Sequence, residues 1–291
     1  MAPLRILYIV LALAVGFGLT VAGVLSLMDV IQVSVSGVSY LDGPLPFSLA
    51  SHGYTPALGA IALLSGFAAL RQRWQVLVLA CWFLLGTGVM EALHMIWILG
   101  RHAVVPESTA AGFVAAWIVF PMLGVLLAAS GRPREDPRSA VPFSISAQER
   151  IRLRNTLIGL VAVSYIWRAI AMVLSPGRTY AIAYLQGMSD LYGPEQVVLA
   201  GGVGLCAALV LAGCAVASSR ASDRVMHAAL AFTAGFAFEG FLDTIDYVFR
   251  LGSLRELTYS LQDAVAFVAC CAALALSVRA STRRPVAVLS D

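Results

Sequence analysis

Four ionisable side chains lie inside apolar segments of this sequence, where a charge needs a physical reason. Glu91, Arg168, Glu239 and Asp243 each interrupt a segment long enough to cross a bilayer. A charged side chain at the centre of a membrane costs about 2.5–3.5 kcal/mol on insertion scales. Carboxyl groups held near an arginine in such surroundings can change protonation state as the structure around them changes. These four residues therefore predict a polar centre that carries protons or binds a solute.

The acidic residues of the second half of the chain follow a helical spacing. Glu239, Asp243 and Asp246 stand at positions i, i+4 and i+7, which share one face of a helix. Glu91 lies about seven residues, or roughly 10 Å, from the outer end of its segment. Glu239 lies at a similar depth, so we expect the groups to meet in the outer half of the membrane. Asp246 completes this acidic stripe at the outer surface and is predicted to bind protons or substrate together with Glu91, Arg168, Glu239 and Asp243. Asp246 and Asp263 lie nearer predicted helix ends and are expected to reach water.

A second interpretation assigns part of this set to a metal or haem. Glu91 and His94 are three residues apart on one helix face, and His52 enters the second segment from the outside. A Glu-x-x-His pair supplies two ligands in di-iron helical bundles. Leu242 stands where the second half would need a matching histidine, so the di-iron set is incomplete. A single metal, or a haem between His52 and His94, would make the protein a redox enzyme or a subunit of one; the sequence implies no other cofactor.

A third interpretation gives the buried charges no chemistry. Arg168 would neutralise Glu91 or Glu239 as a structural ion pair, because removing one partner of a buried pair is costly. The protein would then be a membrane scaffold or sensor.

The composition defines the elements that must position these groups. Of 291 residues, 60% are hydrophobic and 12% are charged, and the mean hydropathy is +0.86. Soluble domains carry about 25% charged residues. A membrane helix needs roughly 20 apolar residues. On this basis we predict an all-α polytopic membrane protein with eight transmembrane helices, at 6–28, 54–70, 75–98, 110–130, 155–175, 196–217, 225–248 and 257–278.

The charge pattern predicts orientation and excludes several functions. Fourteen arginines fall in the segments predicted to be cytoplasmic and four in the outer ones, which places both termini in the cytoplasm. This arrangement is typical of a cell membrane protein, such as one of a bacterial inner membrane. The sequence contains no lysine, which excludes a retinal Schiff base and a Walker-type phosphate site. A net charge of +3 gives no basis for nucleic-acid binding.

Several features recur about 149 residues apart and indicate a tandem duplication. The sequence Val-Leu-Ser at 24–26 recurs at 173–175, and Glu91 corresponds to Glu239. The offsets of the matching features range from 148 to 151. Four helices per half give a parallel repeat, and sites in such proteins lie between the halves. The predicted organisation is a first repeat at 1–130, a basic cytoplasmic linker at 131–154, a second repeat at 155–278 and a tail at 279–291.

These observations together favour a transporter or permease coupled to protons or another ion. Its expected partners are membrane lipids and a small solute, an ion or a lipid-like substrate. Association into a homo-oligomer or a larger complex is compatible with the sequence.

Overall fold

The computed structural model describes the chain at 2–36, 45–102, 112, 114–130, 146–174, 202, 205–206, 209–213, 223–251 and 254–281. Side chains are described over shorter stretches of the same helices. The described part is helical apart from the turn at 71–73 and the single residue Ser146, and it contains no strand. The predicted all-α class is confirmed for these residues.

Seven α-helices have defined bounds. A single π-helical turn, Ala115–Val119, runs directly into the fourth of them. The helices are α1 (Ala2–Ser36), α2 (Leu45–Leu70), α3 (Trp74–His102), α4 (Phe120–Ser130), α5 (Ala147–Leu174), α6 (Asp223–Leu251) and α7 (Leu254–Ser281).

Four of these helices are long and apolar enough to cross a membrane. The candidate spans are Pro3–Gln32 in α1, Gly53–Leu70 in α2, Trp74–Glu91 in α3 and Arg224–Leu242 in α6. Ala115–Ser130 and Leu261–Ser277 are shorter apolar stretches, and α5 is more polar. The sixth predicted segment, 196–217, lies mostly outside the described residues, although positions 209–213 are helical. The four long helices are compatible with a membrane location.

Several helix boundaries differ from the predicted segments: α1 continues to Ser36 instead of ending at 28, and α2 begins at Leu45 instead of at 54. Helix α5 begins at Ala147, eight residues before the predicted segment 155–175. The physical reason is a capping box: Glu149 N–H donates to Ser146 Oγ at 3.2 Å, and Ser146 N–H donates to Glu149 Oε2 at 3.0 Å. Helix α7 begins at Leu254, three residues before the predicted segment 257–278. This places Asp263 deeper in its helix than expected.

Helix α5 exposes large apolar side chains on one face and buries both apolar and charged side chains on the other. Its exposed face carries Leu160, Val163 and Trp167, which is 70% exposed. Its opposite face buries Arg150 and Arg154. A surface helix in water turns its charges outward and its apolar side chains inward. The arrangement of α5 suits a helix that is surrounded by lipid.

The helices form two hydrophobic cores that meet where α3 packs on α6. Helices α1 to α4 build the first core, around Tyr8 and Leu84. Helices α5 to α7 build the second, around Ile158 and Leu230. Met90 of α3 also belongs to the second core, so α3 contributes to both.

Helices α3 and α6 approach each other through a pair of glycines. A Cβ on Gly86 would overlap the carbonyl group of Phe232, and a Cβ on Gly235 would overlap that of Phe83. The Thr87 hydroxyl donates to the Gly235 carbonyl oxygen at 3.3 Å. The two glycine contacts are reciprocal, and their residues are separated by the same 149 positions along the chain. Such close approach requires residues without side chains on both helices.

The two helices also run in the same direction. Trp82 packs edge-on against Phe232, with ring centroids 6.4 Å apart. Eight residues later along α3, the Met90 methyl group lies 3.6 Å from the Cβ position of Gly240. Glu91 stands five residues after Gly86, and Glu239 stands four residues after Gly235. Because the helices are parallel, both acids lie on the same side of the glycine contact.

Candidate functional site

The central polar feature is a buried ion pair between α5 and α7. Arg168 Nη1 donates to both carboxylate oxygens of Asp263, at 2.8 Å to Oδ1 and 2.7 Å to Oδ2. The Asp263 side chain is 1% exposed and that of Arg168 is 14% exposed. Short charge-assisted hydrogen bonds of this kind are among the stronger polar contacts in proteins. Asp263 is therefore enclosed by the protein, whereas part of the Arg168 side chain remains accessible from outside.

A second donor and a helix contact hold the Asp263 carboxylate in place. The Tyr165 hydroxyl, one turn before Arg168 on α5, donates to Asp263 Oδ1 at 3.1 Å. The neighbouring Gln262 donates from Nε2 to the Ser164 carbonyl oxygen at 2.6 Å, which joins α7 to α5 beside the pair. The carboxylate thus keeps a hydrogen-bond donor even when the guanidinium moves away.

Helix α6 reaches the ion pair through a glycine. The Cβ position of Gly240 lies 2.8 Å from Asp263 Oδ2, so a larger residue would displace the carboxylate. The preceding residue, Glu239, is 3% exposed. Glu239 consequently enters the interior at the level of Asp263, and Met90 places α3 at the same level.

Glu91 is held by a partner from the first half of the chain. The Tyr54 hydroxyl of α2 donates to Glu91 Oε1 at 2.6 Å, and the Glu91 side chain is partly buried. Since Glu91 follows Met90, it also lies one residue from the level of the Arg168–Asp263 pair. Ionisable groups from α3, α5, α6 and α7 thus enter the protein within about one helical turn of each other.

Several predicted site residues have side chains outside the described set. Asp243 and Asp246 lie in the continuous helix α6, His94 lies in α3 and His52 in α2, but only their backbone positions are described. The helical spacing of Glu239, Asp243 and Asp246 therefore holds for the backbone. Within the side chains that are described, no group of three or more His, Cys, Asp or Glu residues could hold a metal ion. The metal interpretation gains no support from them.

Asp263 is the site residue that sequence reasoning missed. It was expected to reach water near a helix end, but the earlier start of α7 and the packing of α5 and α6 bury it. Arg168 forms an ion pair with Asp263, a partner that the sequence interpretation did not assign to it. One sequence signal was available: Asp263 begins a stripe of small residues on α7, continued by Ala266, Cys270, Ala273 and Ser277, all of which are buried. An acid in such a stripe faces a neighbouring helix.

No protein-family profile matches this sequence, and comparison with curated proteins and with solved structures gives no significant match. The function must be argued from the residues themselves.

Proposed function

We propose that the protein is a polytopic membrane transporter or permease, coupled to protons or to another ion. The observation that carries the proposal is that the buried acids Asp263 and Glu239 and the partly buried Arg168 lie at one level, where three helices meet. Ionisable groups inside a membrane protein mark ion and solute pathways more often than they mark plain packing. Glu91 with its Tyr54 partner extends this set into the first half of the chain.

The exposure of the two ion-pair partners suggests how coupling would work. Asp263 can be neutralised by a proton, whereas an arginine keeps its charge in proteins. When Asp263 binds a proton, its attraction for Arg168 falls and Tyr165 remains as a hydrogen-bond partner. Arg168, the more exposed partner, is then available to a negatively charged group such as Glu239 or an anionic solute. Loss of the proton restores the pair.

The proposal includes the tandem duplication. The reciprocal contacts of Gly86 and Gly235 have the equal spacing that a two-fold relation between two halves requires. The parallel course of α3 and α6 is consistent with four helices per half, both halves beginning on the same side of the membrane. In this arrangement the acids Glu91 and Glu239 would both lie close to the axis, one residue out of register with each other, and eight spans would complete the fold. Transport would involve movement of one half against the other.

The test is proton movement in liposomes that contain the purified protein. A valinomycin-imposed potassium potential drives protons inward, and a trapped pH-sensitive dye reports their entry while small solutes are added in turn. Glu239→Gln should abolish solute-dependent proton entry, because the amide cannot exchange a proton. The matched control is Glu149→Gln, the same substitution at an exposed capping position where glutamine also serves.

Two outcomes would contradict the proposal. Normal proton entry with the folded Glu239→Gln variant would remove Glu239 from the pathway. The absence of any protein-dependent proton or solute movement, across a panel of ions, organic acids, sugars and amino acids, would favour the scaffold interpretation.

A further inference from the structure

A second group of buried charges lies at the opposite end of α5 from the ion pair. Arg150 is 8% exposed and Arg154 is 6% exposed, one helical turn apart on the face that continues to the buried residue Ile158. The exposed face of the same turns carries Arg152, Ile151 and Leu153. The two inward-facing arginines therefore differ from an ordinary basic segment, whose charges point into water.

One buried atom of the Arg150 side chain lacks a hydrogen-bond partner among the described residues. This atom is Nε, and the side chain forms no ion pair with any residue in the described part of the chain. Its neighbour Glu149 is exposed and is bonded to Ser146. A guanidinium cannot lose its proton, so a negatively charged group beside this buried Nε would stabilise it. Buried polar groups without partners are rare in native structures and often mark an unseen ion or ligand.

We infer that Arg150 and Arg154 form a binding site for a phosphate group. Arg154 Nε donates to Asn155 Oδ1 at 3.2 Å, which fixes this guanidinium one turn from that of Arg150. The planar fork of arginine matches phosphate oxygens, and two such groups present several donors to one anion. The site lies in the first two turns of α5, on the side where the arginine-rich segments predict the cytoplasm. Anionic lipid headgroups are concentrated at that surface, and basic clusters between helices bind them. The phosphate belongs either to such a lipid or to a free phosphate ion.

The site is independent of the proposed transport activity. Arg150 lies 18 positions from Arg168 on a helix that rises 1.5 Å per residue, so the two sites are roughly 27 Å apart. Loss of phosphate binding would leave the ion pair intact, and the two proposals can fail separately.

The test measures the thermal unfolding of the full chain in detergent by tryptophan fluorescence. One arm adds phosphatidylglycerol to the micelles and compares it with phosphatidylcholine; the other compares inorganic phosphate with chloride at equal ionic strength. A bound anion should raise the Tm of the wild type by about 5 °C. Arg150→Gln should lose this shift, with affinity for the anion falling about tenfold. The matched control Arg152→Gln, exposed on the same helix, should keep it.

The arms distinguish the source of the phosphate. A shift with phosphatidylglycerol alone assigns the site to a lipid, and a shift with inorganic phosphate assigns it to a free ion. Equal shifts in the wild type and Arg150→Gln, or no shift in either arm, would overturn the proposal.

A second variant tests the unpaired charge directly. Arg150→Met removes the charge but keeps much of the side-chain volume. In micelles with phosphatidylcholine and no added inorganic phosphate, this variant should therefore unfold at a higher temperature than the wild type. A lower Tm under those conditions would mean that the protein itself satisfies Arg150, and the site would be rejected.

Discussion

Replacement of Asp263 by asparagine should destabilise the protein strongly, because it leaves the Arg168 charge without its carboxylate. Breaking a buried ion pair by removing one partner costs about 3–5 kcal/mol. Arg168 is 14% exposed, so partial contact with its surroundings relieves part of the cost and the lower figure is expected. At about 2–4 °C per kcal/mol, the Tm should fall by roughly 10 °C.

The converse substitution should cost less. Arg168→Met leaves Asp263 buried, but that carboxyl group can bind a proton and keep its hydrogen bond from Tyr165. An unpaired guanidinium has no such escape. The difference in Tm between Asp263→Asn and Arg168→Met therefore measures how readily the buried Asp263 carboxyl group binds a proton when Arg168 is absent.

The double variant Arg168→Met with Asp263→Leu completes the cycle. Both charges are gone, and apolar replacement of a buried pair is often neutral or stabilising. Its Tm should return to within a few degrees of the wild type. Fluorescence-monitored unfolding in one detergent measures all four proteins, with the exposed Arg152→Met as the control.

Two results would refute this reasoning. A wild-type Tm for Asp263→Asn would mean that the pair contributes nothing. A double variant as unstable as Asp263→Asn would mean that the loss comes from packing rather than from the unpaired charge. If the double variant is stable, proton entry into liposomes that contain it tests the function of the pair. Normal proton entry would mean that the pair has only a structural role. Loss of proton entry would support its role in coupling.

Two further predictions concern other parts of the fold. Gly235→Ala should lower stability by about 1–3 kcal/mol, because its methyl group would overlap the Phe83 carbonyl. Gly159→Ala, at a position with nothing within 4 Å of a Cβ, should leave the Tm unchanged or raise it, and equal Tm values for the two variants would contradict the close contact. The hydrogen bonds from Ser146 lower the pKa of Glu149 below its usual 4.5, so the stability supplied by this cap is present above the unfolded pKa and lost as the pH falls through the folded one. NMR of the Glu149 carboxyl carbon should show that low midpoint, and Ser146→Ala should raise it; an unshifted midpoint would reject the cap.

The long helices could be predicted because the bilayer imposes a simple rule on the backbone. The prediction of a break between 70 and 75 agrees with the turn at 71–73, where two arginines end the apolar run. Helix starts were less accurate where capping and not hydropathy decides them. The Ser146–Glu149 box extends α5 into a segment that composition alone would assign to a loop.

The site was only partly predictable, because a sequence does not say which helices are neighbours. Burial costs identified Arg168 and Glu239 as exceptional residues. The partner of Arg168 depends on the packing of α5 against α7, and Asp263 was discounted because its distance from a helix end was underestimated. The anomaly at Arg150 was equally hidden, since an arginine near a predicted loop is normally solvated.

The division of one ion pair between two helices bears on how the chain enters the membrane. Helices α5 and α7 each carry one charged partner, and neither contains one of the four long apolar spans. During synthesis, α5 leaves the ribosome well before α7, so Arg168 reaches the insertion machinery before its counter-ion exists. In the proposed eight-span topology, stable insertion of α5 would then depend on a later segment of the same chain, and assembly of this half would be cooperative.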